Sequence, residues 1–191
     1  MAILASVFRG IDRYSARQKI ERTNLIAGIG VDLPCKRNRL FQNLLSIIPV
    51  HARKDQISDR SSLIQHLNRQ MQEYLRDDID LGVLRLAALY SRSPRHTRWI
   101  IEHFLRFSFS MWYAYFGKLD DCGSSFAGQV IENIHYAGPT WSPLGMTVLA
   151  SQYNGKLHLQ ATFAPHLIDD GVARDFIQFV HNDLLENLVS H

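Results

Sequence analysis

His166, Asp170 and Gly171 fall within six residues of one another, in a stretch that follows an alternating segment and precedes an apolar stripe of helical period. A histidine at the end of a strand, held by a following turn, is placed to act as a general base on a thiol or hydroxyl that attacks an acyl thioester. Imidazole changes charge near neutral pH, so little tuning is required of it. A carboxylate four residues on can fix the turn through a basic partner, and a glycine lets a substrate arm approach the backbone. Acyl transfer is the chemistry this set suits. The same residues also serve as plain structure, with Asp169 or Asp170 capping a helix, Gly171 in its first turn and Pro165 ending the strand.

Other chemistry finds less support in the chain. His51, His66, His96, His103 and His181 show no metal-type spacing with carboxylates, and Cys35 and Cys122 stand alone without a ligand set, so no metal site is expected. Two isolated cysteines read as reduced thiols of a cytoplasmic protein. His135 and His158 fall on expected strands. No serine sits in a nucleophile elbow, and the glycines form no phosphate-binding loop.

The elements that must position the His166 stretch follow from periodicity. Lys156 to Phe163 alternates, with Leu157, Leu159, Ala161 and Phe163 facing one way, and Asn154-Gly155 joins it to Leu144–Tyr153 as a hairpin. From about Asp170 to Leu188, Ala173, Ile177, Val180, Leu184 and Leu188 recur at helical spacing. Upstream, residues 2–20 read as an amphipathic helix, Asn24–Leu33 and Asn43–Val50 as neighbouring strands, and residues 60–76 as a helix started by Asp59. Leu81–Tyr90 and the residues after Pro94 read as helices. The aromatic run from Phe109 to Phe116 and the stretch Ala127–Tyr136 read as strands.

The totals fit one domain. The chain has 191 residues, 46% hydrophobic and 20% charged, with a formal charge of +3, which is the globular range. The basic clusters at Lys36-Arg37-Asn38-Arg39 and Arg92–His96 are too short to argue for nucleic acid. They suit solvated loops or the phosphates of a coenzyme. Arginines interrupt the N-terminal apolar run at Arg9, Arg13 and Arg17. Glu102, His103 and Arg106 interrupt the most apolar stretch, so no membrane span is expected. The fold class is α/β (α+β): a two-layer sandwich of a mixed, largely antiparallel sheet with helices packed on one face.

His166, Asp170 and Gly171 resemble the end of chloramphenicol acetyltransferase and of the dihydrolipoyl acyltransferase catalytic domain, whose motif is H-H-x-x-x-D-G or D-H-R-x-x-D-G. Pro165 stands where those families have His or Asp. The longer stretch VDLPCKRNRLFQNLLSIIPV, with GPTWSPLGMTVLASQYNGKLHLQATF and the helix after it, resembles the C-terminal half of condensation domains. The resemblance implies a chloramphenicol acetyltransferase-like fold over residues 1–191. Residues 1–22 would then be a connector from a missing upstream half. It implies an acyl-CoA or phosphopantetheine-linked acyl donor as substrate, with no bound cofactor, and a hydroxyl or amine acceptor. As a self-contained acetyltransferase-type subunit the chain would use His166 and Asp170 in catalysis; as a C-terminal half it would supply one wall of an acyl-substrate tunnel, because in that resemblance the catalytic H-H-x-x-x-D-G belongs to the first half. Gly171 and Asn43 would face substrate. The partner would be a complementary N-terminal half or, in a homo-oligomer, another copy. A non-catalytic module of the same fold, holding an acyl carrier or a protein, is the alternative.

Overall fold

The computed structural model describes residues 1–21, 23–32, 45–79, 81–82, 85, 93, 95, 99, 109–120, 123–138, 140 and 146–186. Asn43, Cys35, Cys122, most of the two helices expected between residues 81 and 106, and the end of the last helix lie outside the described residues.

Helix α1 (Ala2–Arg17) leads to strand β1 (Asn24–Asp32) and β2 (Leu45–Arg53). A single turn, α2 (Lys54–Ile57), is followed by α3 (Arg60–Arg76). Then come β3 (Met111–Lys118), the short β4 (Ser125–Phe126) and β5 (Gln129–Val130), β6 (Met146–Tyr153), β7 (Lys156–Phe163) and α4 (Asp170–Glu186). The main sheet has the order β2-β1-β3-β6-β7. Its outer ladders, β1 with β2 and β6 with β7, are antiparallel, whereas β1 with β3 and β3 with β6 run parallel. The sheet is therefore mixed, and its longer ladders are the antiparallel ones.

Alternation decides which face is covered. Ala27 and Ile29 of β1, Ile48 and Val50 of β2, Met111 and Tyr113 of β3, and Val148 and Ala150 of β6 all point to one side and are buried. They form one cluster with Leu4, Val7 and Phe8 of α1, Leu63 and Leu67 of α3, and Phe176 and Val180 of α4. Burial there pushes the Tyr113 phenol well above its ordinary range. This is the two-layer sandwich of mixed sheet and helices that the periodicity predicts.

Local signals explain the element ends. Asp59 accepts hydrogen bonds from the Ser61 and Ser62 backbone N–H groups, each at 3.2 Å, and so caps α3. Hydrogen bonding from Ser62 first, then Ser61, holds the Asp59 carboxyl below the usual carboxylate range. Asn154 and Gly155 take φ of 50° and 71°, the left-handed pair that a tight β6–β7 hairpin requires.

The helical layer is tied across α1, α3 and α4 by Asp183, which is buried at 4% exposure. Its carboxylate accepts from Ser6 Oγ at 2.6 Å and pairs with Arg9, while Arg60 donates to its backbone carbonyl at 2.6 Å.

Several expectations differ from the structure. β2 runs past Val50 to Arg53, and β3 spans Met111–Lys118 where the aromatic run predicts Phe109–Phe116. α1 ends at Arg17, short of residue 20. Ala127–Tyr136 is not one strand: Ala127 and Gly128 take φ of 50° and 79°, which makes them the turn of the β4–β5 hairpin, and residues 131–138 belong to no ladder.

Candidate functional site

The turn that carries His166 is built by the end of β7 and the start of α4. Ala164 is buried, and its carbonyl accepts from the N–H groups of Leu167 at 2.9 Å and Ile168 at 3.1 Å. That pair of bonds folds Pro165-His166-Leu167 outward, and the buried Ile168 anchors the far side of the turn. Asp169 then caps α4: its Oδ1 accepts from Gly171 N–H at 2.8 Å, and its carbonyl accepts from Ala173 N–H at 3.0 Å. Of the two carboxylates that could cap, Asp169 does so, which leaves Asp170 as the first residue of the helix with an exposed side chain.

His166, Asp170 and Gly171 are thus brought to one turn, all exposed. No hydrogen bond or ion pair joins His166 to Asp170, and among the described residues none orients the imidazole. At Gly171 a Cβ would lie 3.1 Å from the capping Asp169 oxygen, so the glycine lets the cap close tightly.

Beside this turn lies a groove of about 520 Å³ between β7 and α4. Its walls are Ala161 and Phe163 from the strand and Ala173 and Ile177 from the helix, with Asp170 and Arg174 among its polar residues. Phe163 and Asp170 flank the turn on either side, so the groove reaches the two ends of the turn, while His166 itself does not line it. Its apolar walls and few charges suit a chain that is mostly hydrocarbon with a polar end. Ala161, Phe163, Ala173 and Ile177 were legible from strand and helix periodicity; Arg174 was not, because one arginine on a helix surface carries no signal.

On the opposite face of the sheet, residues 131–138 cross β6 and β7 as an extended segment. Tyr136 stacks on Phe116 with centroids 4.5 Å apart, and His135 meets His158 edge to face at 5.6 Å. His158 Nε2 and Gln160 Oε1 are buried beneath it without a hydrogen-bond partner. The space there is about 10 Å³, room for roughly one water and no substrate. Gly138 touches the sheet so closely that a Cβ would come within 2.6 Å of Thr147 Cγ2.

Among the described residues, no group of three or more His, Cys, Asp or Glu is arranged to hold a metal ion, and no helix is long and apolar enough to cross a membrane. No protein-family model matches the sequence, and no curated protein matches it. Solved structures do share its fold. A wax ester synthase/diacylglycerol acyltransferase from Marinobacter aquaeolei VT8 superposes with a TM-score of 0.59 at 11% identity, over 97% of this chain and 41% of that one. The starter condensation domain of rhizomide synthetase gives 0.58 at 18% identity, over 94% and 42%. The epimerization domain from the third module of tyrocidine synthetase B gives 0.56 at 13% identity, over 97% and 40%. The chain has the chloramphenicol acetyltransferase-like fold of condensation domains, and it spans about two fifths of the length of these neighbours.

Proposed function

We propose that this chain is an acyltransferase-type domain, equivalent to the C-terminal half of a condensation enzyme, that moves an acyl group from a coenzyme A or carrier-protein thioester to a hydroxyl or amine. The observation that carries this reading is the groove of about 520 Å³ that ends at the His166 turn, in a fold shared with enzymes of that class. Where this chain supplies its own base, the His166 imidazole takes the proton of the acceptor O–H or N–H as that atom attacks the thioester carbonyl. The new C–O or C–N bond forms, the C–S bond breaks, and the departing sulfur takes the proton back from the imidazolium as a free thiol. The acyl chain lies along Ala161, Phe163, Ala173 and Ile177, and Arg174 offers its charge to the polar end of the donor.

A base this exposed works only when a second surface excludes water around it. The neighbours, more than twice as long, suggest a complementary half as the source of that surface. A second reading, a non-catalytic module that holds an acyl carrier, is favoured by the lack, among the described residues, of any hydrogen-bonding or charged partner that orients His166.

Release of free thiol from acyl-CoA donors of several chain lengths, with hydroxyl and amine acceptors, separates the two. Catalysis by His166 gives turnover that falls by roughly 10²–10⁴ in His166→Ala while the near-UV circular dichroism is retained. Absence of thiol release by the wild-type chain, both alone and mixed with a complementary N-terminal half of this fold, with donor binding intact in wild type and His166→Ala, selects the binding module.

A further inference from the structure

The two edges of the main sheet are finished differently. At β2, α3 lies alongside, and the Gln70 side chain supplies what a neighbouring strand would: its Oε1 accepts from His51 N–H at 3.1 Å, and its Nε2 donates to His51 C=O at 2.7 Å. At β7 nothing comparable occurs. Among the described residues, the hydrogen bonds made by the β7 backbone all go to β6. Proteins ordinarily blunt such an edge with a proline, a bulge, a short strand or an inward charge. β7 is eight residues long, pairs with β6 without a shift of register, contains no proline, and bears a single charge, Lys156, at its first position.

We propose that the outer edge of β7 pairs antiparallel with β7 of a second copy of this chain, about a two-fold axis through Gln160, joining two five-stranded sheets into one. A two-fold axis normal to the sheet keeps helix side with helix side, so directly opposed residues must share a face. An axis through any residue of β7 meets that condition, and centring on Gln160 is the choice that pairs the exposed Leu157 with the large Phe163. On the helix side it sets Leu157 opposite Phe163 and Leu159 opposite Ala161. On the other side His158 faces Thr162, and Lys156 falls opposite Ala164. Apart from Lys156 opposite Ala164, apolar meets apolar and polar meets polar, and no like charges are opposed. Leu157, 49% exposed at the start of the strand, gains cover from the second copy's Phe163. This pairing rests on the edge and its side-chain pattern, and its failure would leave the acyl-transfer reading as it stands.

Sedimentation velocity of the full chain from low to high micromolar concentration tests it, alongside hydrogen exchange of the Lys156–Phe163 amides. The expected result is a monomer–dimer equilibrium in which dimer formation slows exchange within β7. Leu157→Lys should weaken the dimer by roughly a hundredfold, because the Leu157–Phe163 contact is lost twice per dimer. Leu185→Lys, which replaces another exposed leucine on α4, should leave it unchanged. Leu157→Ser serves in place of lysine if near-UV circular dichroism shows that the charge disturbs folding. A monomer at every concentration, a trimer, or a dimer that survives both Leu157 substitutions overturns the proposal. So does an equal loss in Leu185→Lys.

Discussion

Replacing Asp183 with alanine should remove a large part of the stability of this fold, and the structure sets the size of the effect. Asp183 and Arg60 are 4% and 12% exposed, and the carboxylate also receives Ser6 Oγ and Arg9. Truncation leaves the Ser6 hydroxyl without this acceptor and two guanidinium groups facing a cavity. Breaking a buried pair by removing one partner costs about 3–5 kcal/mol, against a total of about 5–15 kcal/mol for an ordinary domain. The exposed Arg17–Asp175 pair, at 53% and 67% exposure, makes the contrast: losing it should cost no more than about 1 kcal/mol. Urea unfolding followed by circular dichroism should show the Asp183→Ala midpoint lower by roughly 1–3 M, given the usual slopes. Asp183→Asn keeps an oxygen for Ser6 and should lose less. A cost below about 1 kcal/mol for Asp183→Ala would refute the view that this residue ties α1, α3 and α4 together.

Gly10→Ala sets two effects against each other. Alanine gains about 1 kcal/mol of helix propensity, yet its Cβ would lie 2.8 Å from Phe176 Cε2 and 3.0 Å from Val180 Cγ2, where overpacking costs about 1–3 kcal/mol. Thermal melts should show net destabilisation, relieved by adding Phe176→Leu; a higher melting temperature for Gly10→Ala alone would mean that α1 and α4 can part at no cost. His66 predicts a pH dependence. Its Nε2 lies 2.6 Å from the Gln70 Nε2 that also serves His51, and its Nδ1 lies 3.3 Å from Arg69 Nη2; both neighbours are N–H donors, so a neutral ring accepts from one of them and the imidazolium from neither. Burial, followed by the Arg69 charge, lowers the His66 pKa in the folded state, so between the two pKa values the unfolded chain binds more protons. This contribution to stability is therefore full above the unfolded value of about 6.5 and is lost as pH falls through the folded one. Urea midpoints at pH 7.5 and 5.5 should differ less in His66→Gln than in wild type, and an equal difference would sink the assignment.

Much of the fold was legible because its signals are local. Asp59 before Ser61 and Ser62 marked the start of α3, Asn154-Gly155 marked the β6–β7 hairpin, and the alternation of Leu159, Ala161 and Phe163 fixed which side of β7 meets the helices. What failed did so for a physical reason. Ile131 to Tyr136 has the composition of a strand, but composition cannot tell a ladder-bonded strand from an extended segment held by its side chains, here Tyr136 on Phe116 and Gly138 against Thr147. The order β2-β1-β3-β6-β7 is a long-range outcome, and no local pattern places β3 between β1 and β6.

At the candidate site the same division runs through single residues. Two adjacent carboxylates, Asp169 and Asp170, are interchangeable as caps in the sequence, and only the 2.8 Å bond from Gly171 N–H to Asp169 assigns the role and frees Asp170 for the groove. His166 shows the converse. Its residue type and its place between strand and helix argue for a base, yet a base is effective to the extent that its ring is oriented and shielded. Here the turn supplies position alone: Ala164, Ile168 and the Asp169 cap fix where the backbone goes and leave the imidazole outside the groove. In the proposed reaction, orientation and shielding would come from whatever closes over Phe163 and Asp170. Activity that appears only with a complementary partner would mean that the partner provides both; activity of the chain alone would mean that substrate itself closes the groove.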